Sequence, residues 1–111
     1  MIRIYVRGKK DAKAVRHAVN IEAVSIGRNA DNLDVSSNKL AIFLFGEEDT
    51  NLAKIVEEKI GKDCIYVIEF INKKRVRNAR LEEIRRSFEH AKARIRLGIK
   101  YNGVFEFSPE N

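Results

Sequence analysis

A chain of 111 residues with 44% hydrophobic side chains suits one domain around a modest core, and no stretch reads as a linker. The longest apolar runs, "LAIFLF" and "CIYVIEF", fall far short of the roughly 20 residues that span a bilayer. "MIRIYVRGKK" turns charged too early for a secretory leader, so a cytosolic (cytoplasmic) protein with no membrane partner is expected. The formal charge of +6 is unevenly spread: residues 72–100 hold eleven Lys and Arg against three acids, a net +8 that leaves −2 on the rest. Three acids cannot pair eleven bases, and a clustered positive field favours polyanions, with RNA or DNA first. The single cysteine, Cys64, has no disulfide partner and sits in an apolar run, where it packs as a small hydrophobe. Lys, Arg and Glu are abundant while glutamine is absent and Met and Thr occur once each, a thermophile-like composition.

In chain order, "IRIYV" (2–6) alternates and is rich in β-formers, so a strand is predicted. "DAKAVRHAV" (11–19) reads as a helix with Asp11 as N-cap. "EAVSIG" (22–27) is a short strand, and the polar stretch 28–39 is a loop. "LAIFLF" (40–45) has the continuous apolar pattern of a strand covered on both faces. "DTNLAKIVEEKIG" (49–61) aligns Leu52, Ile55, Val56 and Ile60 on one helical face and closes at Gly61. "CIYVIEF" (64–70) is another buried strand. Residues 78–98 repeat Leu81, Ile84, Phe88, Ala91 and Ile95 at helical spacing, giving a long basic amphipathic helix. "GVFEF" (103–107) reads as an extra C-terminal edge strand. This order predicts a single α/β domain over 1–111: three layers, a largely parallel four-stranded sheet and helices on both faces, Rossmann-like in kind. Ligands of such sheets collect at the carboxyl ends of the strands, here "VRGKK" and "FGEED".

Those two strand ends carry a family resemblance. "YVRGKKDAKAVRHAVNIEAVSIGRNA" followed by "AIFLFGEEDTNLAKIVEEKI" resembles a small Toprim domain, the module of primases, topoisomerases and a ribosomal-RNA-maturing ribonuclease. The family shows V-E-G after one strand, then K-x-D, and D-x-D after a later apolar strand. Gly8, Lys9 and Asp11 match the first motif, while Glu47 and Asp49 stand at the outer positions of the second. The resemblance implies a Toprim-like fold and acidic ligands for Mg²⁺, a hard ion that takes oxygen donors and neutralises phosphate charge. The family's glutamate, however, falls on Arg7, a side chain that stays protonated and cannot serve as acid or base. The glycine that usually follows D-x-D is replaced by Thr50, Asn51 and Leu52. A guanidinium can bond a carboxylate through two parallel hydrogen bonds, so Arg7 is expected to take the place of the ion beside Glu47 or Asp49. In the alternative, Arg7 points at phosphate while Glu47 and Asp49 still hold Mg²⁺.

The expectation is therefore a nucleic-acid-binding protein with a degenerate, non-catalytic metal site. Phosphate contacts are assigned to Lys73, Lys74, Arg75 and Arg77 before the helix and to Arg85, Arg86, Lys92, Arg94 and Arg96 on it. Lys9 and Lys10 stand at the site mouth. Two alternatives stay open: a divergent Mg²⁺-dependent nuclease using Glu47 and Asp49, and an assembly module whose basic helix meets an acidic partner. Cofactors are none, or Mg²⁺ if the acidic pair is functional. Self-association into a homodimer or a larger nucleoprotein assembly is also open. "VRGKK" lacks the full G-x-x-x-x-G-K-[ST] loop, which argues against nucleotide hydrolysis. His17 and His90 have no Cys/His cluster around them, which argues against zinc. Tyr66 and Phe70 read as core, while Tyr101 and Phe105 suit either base stacking or an edge strand.

Overall fold

The computed structural model describes residues 2–34, 40–60 and 64–97. Strands β1 (Ile2–Val6), β2 (Ala23–Ser25), β3 (Leu40–Phe45) and β4 (Ile65–Phe70) form one sheet in the order β2-β1-β3-β4. Every pairing is parallel, with Ile4 opposite both Ala23 and Ile42, and Ile42 opposite Val67. Helices α1 (Lys9–Val19), α2 (Thr50–Lys59) and α3 (Leu81–Arg96) complete a three-layer Rossmann-like α/β domain. The predicted further strand at 103–107, together with Gly61, Lys100, Tyr101 and Phe105, lies outside the described residues.

From the sheet centre the chain steps outward in opposite directions, β1 to β2 and β3 to β4. Right-handed crossovers then put α1 and α2 on opposite faces. Because strand side chains alternate, each strand feeds both layers. Ile4, Val6, Ile42, Leu44 and Val67 pack against Val15 and Ala18 of α1 and Ile84, Phe88 and Ala91 of α3. Tyr5, Phe43, Phe45, Tyr66 and Ile68 pack against Leu52, Ala53 and Val56 of α2, with Tyr5 stacked on Phe43 at 5.0 Å. Tyr5, beside the strand end that carries Arg7, is thus a core side chain whose hydroxyl donates to the Asp34 carbonyl at 3.2 Å. Cys64 is buried, and burial pushes its thiol pKa up.

Two helix starts, those of α1 and α3, differ from the sequence expectation. α1 begins at Lys9, with Gly8 as N-cap and Asp11 inside the first turn. There Asp11 Oδ2 accepts the Gly8 N–H at 3.1 Å, the acidic half of a capping box. A 3₁₀ turn, Glu47–Asp49, precedes α2, and Asp49 Oδ2 accepts the Gly46 N–H at 2.8 Å in the same way. A second 3₁₀ turn, Val76–Asn78, delays α3 to Leu81, where Glu83 Oε1 accepts the Arg80 N–H at 2.8 Å.

Gly46 is required by space. The segment after β4 crosses directly over it, so an ideal Cβ would sit 2.3 Å from the Lys74 carbonyl oxygen and 2.6 Å from Arg75 Cα. At Gly8 the nearest atoms are side-chain ends at 3.3 and 3.4 Å, which can yield. Gly46→Ala should therefore destabilise the fold by about 1–3 kcal/mol or more, as overpacking does, and Gly8→Ala by clearly less. Urea unfolding of the two variants checks this; equal losses would contradict the close crossing.

Candidate functional site

The strand order reverses between β1 and β3, so the crevice at their carboxyl ends is the place where a fold of this kind gathers ligands. Two matching loops meet there. "RGKKD" (7–11) leaves β1 and "FGEED" (45–49) leaves β3; each has a glycine whose N–H is bonded by an aspartate three residues on. Both aspartates are 1% exposed. Burying a carboxylate is costly unless it is paired and hydrogen-bonded, and two arginines meet that demand.

Arg7 Nη1 donates to Asp49 Oδ1 at 3.2 Å. Arg75, carried in by the segment that crosses Gly46, donates through Nη2 to Asp11 Oδ2 at 2.5 Å. Its Nε lies 3.9 Å from Asp49 Oδ1 and is the one buried side-chain nitrogen or oxygen among the described residues with no hydrogen-bond partner. Asp11 Oδ1 accepts the Arg77 backbone N–H at 3.0 Å. The crossing is pinned by Glu47 N–H to the Lys73 carbonyl at 2.8 Å and Glu48 N–H to the Lys74 carbonyl at 3.0 Å. Those N–H groups, and that of Gly8, are thus spent within the chain rather than offered to an anion. On the β2 side, the Arg7 carbonyl accepts the Gly27 N–H at 2.9 Å and the Ser25 hydroxyl at 3.2 Å, fixing the backbone from which Arg7 reaches.

The expected meeting of Arg7 with Asp49 is present. Glu47 is exposed, and its backbone rather than its carboxylate ties it to the site. Both oxygens of Asp49 are engaged and two guanidinium groups surround it, so the donor set as arranged does not fit a hard dication. Among the described residues no three His, Cys, Asp or Glu side chains converge to hold a metal. The carboxyl of Asp49 is raised above its ordinary pKa, first by desolvation; the Gly46 N–H and the guanidiniums of Arg7 and Arg75 pull it back only in part.

The structure redistributes the basic residues assigned to phosphate. Arg75 is an internal plug, its side chain 13% exposed. Arg94 turns inward to Glu69 Oε1 at 3.0 Å, and the same carboxylate meets His90 Nδ1 at 3.0 Å. Arg85 Nε donates to the Ala18 carbonyl at 2.7 Å, capping the end of α1, and Lys92 pairs with Glu89 at 2.8 Å while lying over the Phe88 ring. The predicted basic face of α3 is therefore largely used for folding, leaving Arg86 and Arg96 exposed and without an ion-pair partner among the described residues. Lys9 and Lys10 in the first turn of α1, Lys74, and Arg77 in the 3₁₀ turn are likewise exposed, with Lys73 3.9 Å from Glu83. The free positive charge sits more at the sheet's carboxyl end than on the helix.

Sequence reasoning missed one participant and one pattern. Glu69, the partner of Arg94, is a lone acid in an apolar strand, and that isolation was the available signal. The paired G-x-x-D spacing at 8–11 and 46–49 was the signal for two equivalent caps. Among the described residues no helix is long and apolar enough to cross a membrane. No family model and no curated protein sequence matches this chain.

Because burial lifts the folded-state pKa of Asp49 above the unfolded value of about 3.9, the folded chain takes up that proton first as pH falls. The contribution of Asp49 is thus fully present below about pH 4 and is lost as pH rises through the folded value. Urea unfolding at about pH 4 and pH 7 should show the wild type gaining on Asp49→Asn at the lower pH. A gap that moves the other way would mean that its arginines hold this carboxyl below its ordinary value.

Proposed function

We propose that this chain is a cytoplasmic, nucleic-acid-binding protein of Toprim-like type in which ion pairing has replaced the metal chemistry. One observation carries the reading: Asp49, at a position where the resembled family holds Mg²⁺, is buried against Arg7 and Arg75, and Arg75 also holds the buried Asp11. Both oxygens of Asp49 are engaged, which leaves Glu47 without its partner for a dication, and Arg7 cannot act as a base. What surrounds the plugged site supports a polyanion as partner. With the buried charges cancelling, Lys9, Lys10, Lys74 and Arg77 stand around it against the exposed Glu47 and Glu48. Phosphate contacts of this kind position a nucleic acid without reading its sequence, so RNA and DNA are both candidates.

The test is fluorescence anisotropy with labelled single-stranded RNA and duplex DNA over a series of salt concentrations. Affinity should fall with salt at a log–log slope of about −0.9 per phosphate neutralised on duplex DNA and about −0.7 on a single strand. Reversing Lys9, Lys10, Lys74 and Arg77 to Glu should weaken binding at least tenfold by that account, roughly 1.4 kcal/mol or more, with the fold intact. Neither substrate should be cleaved in Mg²⁺. Salt-insensitive or absent binding would remove the reading, and turnover that vanishes in Asp49→Asn would replace it with the nuclease.

A further inference from the structure

Resting on the nucleic-acid reading, we propose that Arg7 is the anchor for one backbone phosphate and that Asp49 is the positioning residue that aims it. Arg7 leaves β1 at the switch point of the sheet, and its side chain is 20% exposed while Asp49 beneath it is 1% exposed. One N–H of its fork is committed to Asp49. Its other donors have no partner among the described residues, and none of them is a buried unpaired atom, so they face solvent. The base of the side chain is held as firmly as its tip. The Arg7 carbonyl accepts from Gly27 and Ser25, and Asp49 is itself fixed by the Gly46 N–H.

An arginine fixed at both ends, with free donors directed outward, is preorganised for a phosphate, whose oxygens match the planar fork. Arg75 differs: one end of its fork is on Asp11 and its Nε is buried, so it supplies charge beneath the site rather than contact. Lys9 and Lys10 follow within one turn at the positive end of α1, which favours the same anion. Glu47 and Glu48 bound the site on the α2 side and restrict where the phosphate can lie.

The experiment measures the affinity and salt slope of the full chain for a labelled single-stranded RNA oligonucleotide, comparing wild type, Arg7→Ala, Arg7→Lys and Asp49→Asn. Thermal unfolding of each variant serves as the folding control. Arg7→Ala should weaken binding roughly tenfold and reduce the magnitude of the salt slope by about one phosphate's worth. Arg7→Lys should keep the slope yet lose affinity, because the charge remains and the fork is gone. Asp49→Asn should also keep the slope and lose affinity, a split that a merely structural role would not produce. Wild-type affinity and slope in Arg7→Lys and Arg7→Ala, with binding lost on reversal of Lys9, Lys10, Lys74 and Arg77, would overturn the anchor and leave the nucleic-acid reading standing. If Arg7→Ala does not fold, Arg7→Lys with wild-type affinity overturns it alone. No binding of the oligonucleotide by the wild type would remove both.

Discussion

Two carboxylates buried side by side at the end of a parallel sheet must be neutralised, and much of the local structure follows from how this is done. Asp11 and Asp49 each cap their own loop through a glycine N–H, which accounts for one lone pair apiece. The remaining charge is met by Arg7 from β1 and by Arg75 from the segment after β4. Removing one partner of a buried ion pair typically costs about 3–5 kcal/mol, far more than a surface pair is worth. The crossing of residues 73–75 over Gly46, the missing Cβ at that glycine and the 3₁₀ turn before α3 all serve to deliver Arg75.

This arrangement links the two halves of the sheet. Arg75 reaches Asp11 on the β1–α1 side and approaches Asp49 on the β3–α2 side, closing the crevice where the strand order reverses. The orphaned Arg75 Nε indicates that the fit is not complete, and a single fork serving two acids explains why. Arg7 serves one acid and keeps donors for solvent. The two arginines thus differ in what they leave free: Arg75 is consumed between two acids, and Arg7 is paired through one N–H alone.

The fold was legible in the sequence because apolar runs and helical spacing repeat across it: the strands at 2–6 and 40–45 coincide with their predicted bounds. The contact between Arg7 and Asp49 was legible too, since the two motifs end adjacent strands of one parallel sheet. The role of Arg75 was not. Within "NKKRVR" it is one base among four, and only the crossing over Gly46 separates a buried guanidinium from exposed neighbours. The inward pairing of Arg94 was not legible for a similar reason. Helical spacing tells which face a residue occupies, but not that Glu69, far away in sequence, waits beneath it. The helix starts at Lys9 and Leu81 shifted because side chains bonding back onto backbone N–H groups move helix ends by a turn without altering the apolar period.

The central claim is that guanidinium charge fills the place of a metal ion. Calorimetric titration of Mg²⁺ into the wild type and into Arg7→Glu, which restores the acid found in the resembled family, tests it most directly. The account predicts no saturable heat for the wild type at millimolar Mg²⁺ and measurable binding once Arg7 is replaced by Glu. Saturable binding by the wild type that disappears in Asp49→Asn would contradict it.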